Sequence, residues 1–522
     1  TLLERGTKVP VPLANVYILP HKIRATTDEQ GKFVVEQVPS GQFQWVVNVA
    51  GFEKLEQKDE ASNKRRDARN LYVEKFSYEV YETTIYDKNA KRDDSTKSIK
   101  ASEAIKLPGT FGDAIKAVQN LPGVNRSSAF NSQVIIQGSA PKDTRYTIDG
   151  HEVPIIFHFG GLSSVVIPEA LDRVDYLSAG YGPEFGRAIG GLVTVWSKEP
   201  QKDRIHGFGF MDTFNSGALI EGPVHKSATD KPASLLLSAR KSYIGNVLGL
   251  VLKGSSAFDL TVAPTYADTS NVYDVDVTER DHFRFFAIGS EDRLEFLFKS
   301  GVATEDSVRG RFALKTAFFR LIPEWTHKHS PITTSRYSFG VGRDFVKVDF
   351  GDNYFYLKTY AVTARGELER KMESFWTSYW GYDTKHNWAT VDTKLPTSYS
   401  SGGVSNPFNS GTMREIHISQ KNSELGAYWR NTLHFEDSSW TWMPNFRSEY
   451  YTATKEFLPL PRLATRYALT ETLGLRAATG LYGQPPQAQE LDKDFGNPNV
   501  KAPKAIHGAA GFEKCFQGTA LN

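Results

Sequence analysis

The 522-residue sequence predicts a mainly β chain: an N-terminal β-sandwich, a compact α/β unit, and a transmembrane antiparallel β-barrel over the remainder. Three observations predict it. Beyond residue 204 the chain runs in long segments where apolar and polar residues alternate, the period-two mark of strands with two unlike faces. Aromatic residues make up 12%, with 23 Tyr, 33 Phe and 9 Trp, at a mean hydropathy of -0.41. A spanning barrel has this profile because only alternate residues meet lipid and aromatic girdles line both interfaces. Residues 110–198 concentrate glycines and short β-rich runs, as a densely packed small domain does.

Composition excludes several classes. Lys plus Arg number 62 and Asp plus Glu 60, so a formal net charge of +2 creates no large field for nucleic acid. The single cysteine, Cys515, excludes an internal disulfide and makes a poor metal site. No apolar run approaches the roughly twenty residues of a spanning helix; the best candidate, 244–252, is short and contains Asn246. The chain starts at Thr1-Leu2-Leu3-Glu4 with no signal peptide, so a processed or partial product is expected.

In the first 76 residues, Asn15-Val16-Tyr17-Ile18-Leu19, Gly31-Lys32-Phe33-Val34-Val35 and Gln44-Trp45-Val46-Val47-Asn48-Val49 read as three strands of a small sandwich. Turn-rich Thr26-Thr27-Asp28-Glu29-Gln30-Gly31 and Pro39-Ser40-Gly41 separate them. Residues 53–70 are strongly charged, with Lys64-Arg65-Arg66 beside Asp59, Glu60 and Asp67, which suits an exposed hairpin or linker. Tyr78 to Tyr86 then has strand propensity and precedes a polar tract at 87–98. It is either the last strand of the sandwich or an extended peptide on a tether.

Thr110 followed by Asp113 has the form of a capping box, and Ala114, Ile115, Ala117, Val118 and Leu121 recur at helical spacing, so a short amphipathic helix ending at Pro122-Gly123 is expected. Residues 133–137 and 145–148 read as two short paired strands, closed by Gly138 and by Asp149-Gly150. Gly182, Gly186, Gly190 and Gly191 remove side chains where the backbone must turn or approach a wall, before Leu192, Val193 and Val195 start a strand. No Gly-Lys-Ser/Thr follows, so this is not a phosphate loop.

The ordered set Leu121-Pro122-Gly123-Val124, Ile148-Asp149-Gly150 and Tyr181-Gly182-Pro183-Glu184-Phe185-Gly186-Arg187-Ala188-Ile189-Gly190-Gly191 resembles the plug domain of TonB-dependent outer-membrane receptors. Leu107-Pro108-Gly109-Thr110-Phe111-Gly112-Asp113-Ala114 and Phe157-His158-Phe159-Gly160-Gly161-Leu162-Ser163-Ser164 are similar to deltaproteobacterial members. Thr27-Asp28-Glu29-Gln30-Gly31-Lys32-Phe33 with Val38-Pro39-Ser40-Gly41 resembles the carboxypeptidase regulatory-like domain that often precedes such plugs. That domain is structural in its relatives, and no histidine here has the His-x-x-Glu spacing of a zinc carboxypeptidase.

The resemblance implies four parts: a regulatory-like sandwich at 1–76, a TonB box and linker at 77–98, a plug at 99–203, and a barrel at 204–522 that encloses the plug. The TonB box would be Glu79, Val80, Tyr81, Glu82, Thr83, Thr84, Ile85 and Tyr86, pairing edge-to-edge with TonB so that main-chain hydrogen bonds supply affinity. Phe157, His158 and Phe159 are candidate solute contacts in the outward-facing region, where aromatic and imidazole groups can stack on or ligate a chelate. The alternative for His158 is a satisfied packing residue. Many family plugs carry Ile-Arg-Gly where this chain has Ile136-Gln137-Gly138; Arg187 remains as a candidate partner for a barrel-wall carboxylate.

Within the barrel, Val362, Ala364, Gly366 and Leu368 alternate with Thr363, Arg365, Glu367 and Glu369. Leu469, Leu473, Leu475 and Ala477 alternate with Thr470, Thr472, Gly474 and Arg476. Alternation cannot say which face is outside, since a soluble sandwich inverts the sense. Further strands are expected at 233–242, 272–278, 282–287, 312–325, 333–341, 354–370 and 375–382. Phe375-Trp376-Thr377-Ser378-Tyr379-Trp380 and Trp440-Thr441-Trp442 fit interface girdles, with a buried core as the alternative. About 20 to 25 residues per strand and connection would make on the order of 13 to 16 strands, whereas plugged transporters have about 22. C-terminal strands are therefore expected to be missing, with more chain or a partner closing the edge.

The function implied is energised uptake of a scarce solute such as a siderophore or similar chelate, with TonB and its inner-membrane energising complex, the solute and outer-membrane lipid as partners. Localisation is the outer membrane of a Gram-negative bacterium, with the N-terminal domain periplasmic. No cofactor, metal site or catalytic constellation is expected; no Gly-x-Ser-x-Gly elbow occurs, and an enzyme is not the reading. The other readings are an outer-membrane signalling or assembly receptor and a soluble adhesive β-protein.

Overall fold

The computed structural model describes residues 1–4, 8–12, 14–21, 23–35, 38–49, 52, 55–61, 68–73, 97–104, 107, 109–110, 112–126, 134–158, 161, 163–226, 232–245, 258–298, 310–396, 413–435, 439–470, 473–493 and 496–514. The TonB-box candidates at 79–86 and Phe159 lie outside them.

The N-terminal domain is built from β1 (Leu2–Glu4), β2 (Asn15–Leu19), β3 (Ile23–Thr26), β4 (Gly41–Asn48), β5 (Leu55–Ala61) and β6 (Leu71–Val73). Strands β3-β2-β4-β5 form one antiparallel sheet, and β1 pairs in parallel with β6. Val16, Ile18, Phe43, Trp45 and Val47 pack with Leu2, Leu71 and Val73 between them. Two expectations are corrected. The run 31–35 is not a strand, because the Asp28 carboxylate accepts the N–H groups of Gln30 and Lys32 and so spends them in a turn; Phe33 still packs edge-on against Trp45 at 5.7 Å. The charged stretch contains β5, a sheet edge whose Asp59 accepts from Trp45 Nε1 at 3.2 Å and pairs with Arg69 at 3.0 Å. Charge on an edge strand discourages further pairing.

The central unit contains β7 (Lys97–Lys100), β8 (Val124–Arg126), β9 (Val134–Ile136), β10 (Arg145–Ile148), β11 (His151–Glu152), β12 (Leu171–Leu177) and β13 (Leu192–Ser197). Its main sheet has the order β11-β10-β13-β12-β7. The expected amphipathic helix is a 3-10 helix, Ile115–Asn120, and Thr110 does not cap it. The Thr110 hydroxyl instead donates to the Leu107 carbonyl, while the Asp113 carboxylate accepts from the Ile115 and Lys116 N–H groups and from that of Ser164 at 2.6 Å. Nor do β9 and β10 pair with each other: β9 pairs with β8, and β10 runs parallel to β13. The left-handed residues Gln137 (φ 53°) and Gly138 (φ 76°) and the 3-10 turn Pro141–Asp143 redirect the chain between them.

The third part is one antiparallel sheet of fourteen consecutive strands. They are β14 (His206–Met211), β15 (Asn215–Lys226), β16 (Pro232–Ser242), β17 (Phe258–Asp276), β18 (Asp281–Phe298), β19 (Gly310–Ser330) and β20 (Thr333–Phe350). The series continues with β21 (Asn353–Glu373), β22 (Trp376–Pro396), β23 (Met413–His434), β24 (Trp440–Tyr451), β25 (Glu456–Ala468), β26 (Leu473–Gly483) and β27 (Lys504–Lys514). Leu469 and Thr470, expected within a strand, lie in the connection between β25 and β26. Strand β21 has 21 residues; at ~3.3 Å per residue that is about 70 Å, which exceeds a ~30 Å hydrocarbon core even at a ~45° tilt.

The structure decides the sense of the alternation. Tyr337, Phe339, Val341, Trp380, Tyr382 and Trp388 are exposed on the outside of the sheet. Thr363, Arg365, Asp383, Arg430 and Arg447 face inward, where each bonds the central unit or a group that does. The sheet curls around that unit, termed the plug below. Among the described residues no helix is long and apolar enough to cross a membrane.

Candidate functional site

The glycine-rich loop after β12 is a preformed knob. The Tyr181 hydroxyl donates to the Ala188 carbonyl at 2.8 Å, and the Tyr482 hydroxyl on β26 donates to the Tyr181 carbonyl at 3.0 Å. The turn leaves Arg187 at φ 57°, a left-handed conformation that aims its side chain at the wall. Arg187 Nη2 lies 2.6 Å from Asp383 Oδ2 on β22, and its Nε 3.4 Å from Glu424 Oε2 on β23. Its backbone N–H donates to Glu449 on β24 at 2.9 Å.

Arg447 completes the cluster, reaching Asp383 and Glu449 at 2.7 Å each and the Pro183 carbonyl at 3.0 Å. Gly186 is required at this place, since any Cβ would collide with the Arg447 guanidinium and the Glu449 carboxylate. Burial by itself lowers the Arg187 pKa, but Asp383 and Glu424 more than offset that and hold it above its ordinary value. Arg430 on β23 pairs with Glu184 at 2.9 Å, and Arg462 on β25 donates to the Phe185 carbonyl at 2.8 Å while lying 4.1 Å from the Tyr482 ring centroid.

The β10–β11 hairpin engages the wall beside this knob. His151 bonds Thr363 at 2.7 Å and Ser338 at 3.0 Å. Burial, then the neighbouring Arg365 and Arg320, push its pKa down to about 3, so the ring is neutral. Glu152 pairs with Arg145 at 2.6 Å and with Lys385 on β22 at 2.9 Å. Burial opposes its ionisation, yet Arg145 and Lys385 hold the carboxyl well below the usual range. The cavity left between knob, hairpin and wall measures about 20 Å³ and is lined by Arg145, Glu152, Arg187, Arg365 and Asp383, room for about one water.

The other grip is His158. Its Nδ1 lies 2.6 Å from Asp292 on β18 and its Nε2 3.0 Å from Asp268 on β17, with the ring stacked on Tyr266 at 3.9 Å. Burial lowers the imidazole pKa, but Asp268 and Asp292 win and push it up to about 9, so both ring nitrogens donate at neutral pH. Arg240 on β16 pairs with Asp268 at 2.7 Å and donates to Ser163 at 2.8 Å. Two cations and two carboxylates thus balance in a buried cluster. Phe157, 1% exposed, lies in one apolar core with Phe286, Ile288 and Phe318 of the wall.

Of the residues singled out from sequence, Arg187 is brought to a wall carboxylate, and Phe157 and His158 are buried between plug and wall. Sequence reasoning missed Asp268, Asp292, Arg240, Asp383, Glu424, Arg447 and Glu449. The available signal was their place on the polar row of alternating strands.

Comparison with known proteins follows the same three parts. The model of the CarboxypepD_reg-like domain matches residues 1–93, that of the TonB-dependent Receptor Plug Domain 91–192, and that of the TonB dependent receptor-like beta-barrel 244–522. No curated protein matches the chain. Among solved structures, a mutant of the ferric enterobactin receptor PfeA of Pseudomonas aeruginosa is similar at TM-score 0.61 and 16% identity, over 82% of this chain and 70% of that one. The siderophore receptor PirA of Acinetobacter baumannii is similar at 0.62 and 15%, over 81% and 68%. The outer membrane transporter YddB of Escherichia coli is similar at 0.59 and 12%, over 81% and 67%.

Proposed function

This chain belongs to the TonB-dependent receptor family, and on that premise we propose that it is an outer-membrane receptor for energised uptake of a scarce solute, a siderophore or similar chelate. The domain limits 1–76, 77–98, 99–203 and 204–522 are part of this reading. One observation carries it: the space inside the barrel sheet is occupied by a plug held through buried ion pairs at Arg187 and His158. Passage therefore requires work on the plug, and ion pairs are contacts that can break and re-form without loss of the fold.

Sidedness is part of the proposal. One end of the strands carries the four long connections, 243–257, 299–309, 397–412 and 484–503, beside short ones at 212–214, 351–352 and 452–455, whereas every connection at the other end, such as 277–280, 331–332 and 374–375, is short. Barrels of this kind carry long loops outside and short turns in the periplasm. The 79–86 segment then recruits TonB by strand addition on the periplasmic side. The chelate class is taken from structural neighbours whose names state reception of ferric enterobactin or of a siderophore.

Uptake of labelled ferric chelates by intact iron-starved cells tests the reading. Uptake that requires TonB and disappears on deletion of residues 79–86 supports it. Uptake unchanged by either removal, or none for any solute while the receptor triggers a transcriptional response, replaces it with a signalling receptor.

A further inference from the structure

The alternation of the tall strands reverses part-way along them. On β21 the inward positions Glu369, Glu367, Arg365 and Thr363 are polar, but the next ones, Ala361, Thr359, Leu357 and Phe355, are mostly apolar. The outward positions change the opposite way, from Leu368, Ala364 and Val362 to Tyr360, Lys358, Tyr356 and Tyr354. Strand β20 repeats this: inward Ser338 and Asp344 give way to Val346, Val348 and Phe350, and outward Phe339 and Val341 to Arg343, Lys347 and Asp349, with Phe345 the one outward apolar residue among them. On β23 the outward residues Glu415, His417 and Ser419 are hydrophilic, while Ile416 and Ile418 face in.

Because all these strands share one register, the reversal is a level in the molecule. Leu314 stands opposite Val348, Val346 opposite Leu357, Leu357 opposite Val391, and Val391 opposite Ile418. Cross-strand neighbours on one face touch, so these residues make a continuous apolar wall. Outside that level the sheet carries cations over rings, with Lys347 Nζ 4.9 Å from the Tyr356 centroid and Lys358 Nζ 5.0 Å from that of Tyr360, a hydrated surface beyond the hydrocarbon. This end of the strands bears the four long connections, while β20 and β21 themselves meet there through the short turn 351–352.

The wall is continuous with the plug contact. Phe318, two inward positions from Leu314 on β19, belongs to the apolar core that includes Phe157 of the plug. A solute resting on the outward side of the plug is therefore flanked by hydrocarbon, with no inward charged residue on β19 to β22 between the level of Asp344 and the described strand ends at Phe350 and Asn353. An unlined charge would gain nothing there and would lose hydration.

We propose that this wall receives the uncharged apolar face of the transported solute, an aryl or aliphatic group, so that the receptor selects amphiphilic chelates over wholly charged ones. This rests on the uptake reading for its cargo, but the wall can be tested without transport. In a Cys515→Ser background, Val391→Cys puts a thiol on the wall, facing inward, and Thr390→Cys puts one on the outer face. Purified receptor in nanodiscs is treated with neutral N-phenylmaleimide and with a sulfonated maleimide. The aryl-to-sulfonate rate ratio should be at least tenfold higher at 391 than at 390. Equal ratios, or no reaction of 391 with either reagent because the chain's own segments cover it, overturn the proposal.

A second measurement addresses the cargo: tryptophan-fluorescence titration with a ferric trihydroxamate carrying acyl chains and with the same chelate lacking them. The acylated form should bind at least tenfold tighter, and Val391→Asp should remove the difference while Val391→Leu keeps it. Equal binding, or binding of neither, overturns the proposal. TonB-independent uptake alongside a retained acyl preference would instead sink the transport reading alone.

Discussion

Arg187 and Asp383 meet at 2.6 Å across the boundary between plug and wall, and both are buried. Asp383 also holds Arg447, so one carboxylate serves two guanidinium groups, one from each side of the boundary. Removing it leaves Arg187 with only the longer Glu424 ion pair and Arg447 with that to Glu449 alone.

Asp383→Asn is therefore expected to loosen the plug more than Glu424→Gln, whose carboxylate is 3.4 Å from Arg187. Breaking a buried pair costs about 3–5 kcal/mol. Hydrogen exchange over residues 180–191 should rise by orders of magnitude in the first variant and much less in the second. A double-mutant cycle with Arg187→Gln should return a coupling of at least about 1 kcal/mol; additivity would show that the pair does not act as a unit.

The His158 anchor makes stability depend on pH at the alkaline end. Its folded pKa of about 9 lies above the ordinary value of 6.5, so its contribution is fully present below 6.5 and is lost as pH rises through 9. A shift of this size corresponds to about 3 kcal/mol. Thermal unfolding between pH 6 and 10 should show a decline that His158→Gln makes shallower, the remainder coming from other paired groups such as His282 with Asp274 and Asp276. His151 runs the other way: with a folded pKa near 3, its stability is present above 6.5 and is lost as pH falls. The two variants should flatten opposite ends of the profile.

Gly186→Ala places a methyl group where the Arg447 and Glu449 side chains meet. Overpacking of this kind costs about 1–3 kcal/mol. Limited proteolysis should cut the 180–191 loop faster in this variant, while Gly511→Ala, whose Cβ meets open space, should behave as the parent does.

A peptide spanning Glu79 to Tyr86 is expected to shift backbone amides along one edge strand of the TonB C-terminal domain. The absence of any shift at millimolar peptide would remove the proposed strand addition. Replacement of Val80 and Thr84 by proline, which lacks the N–H the ladder needs, should abolish the shifts.

Much of the architecture is legible in the sequence because the signals are local. Period-two alternation from 362 to 369 marks the middle of β21 without knowledge of its neighbours, and the order of glycines from 180 to 191 marks a tight loop. Local signals also misled. Residues 31–35 have strand composition, yet Asp28 captures the N–H groups a strand would need. Asp113 took the capping role expected of Thr110, since its carboxylate also reaches Ser164, far along the chain.

By itself the sequence determined three successive β-rich parts, a glycine-rich loop that carries Arg187, and long alternating strands in the last of the three parts. Only the tertiary structure decided which face of those strands looks outward, and that Asp383 rather than another carboxylate meets Arg187. It alone also placed His158 between Asp268 and Asp292. The reason is physical: side-chain period is a property of one strand, whereas partner choice depends on how strand tilt and register bring many strands around one plug.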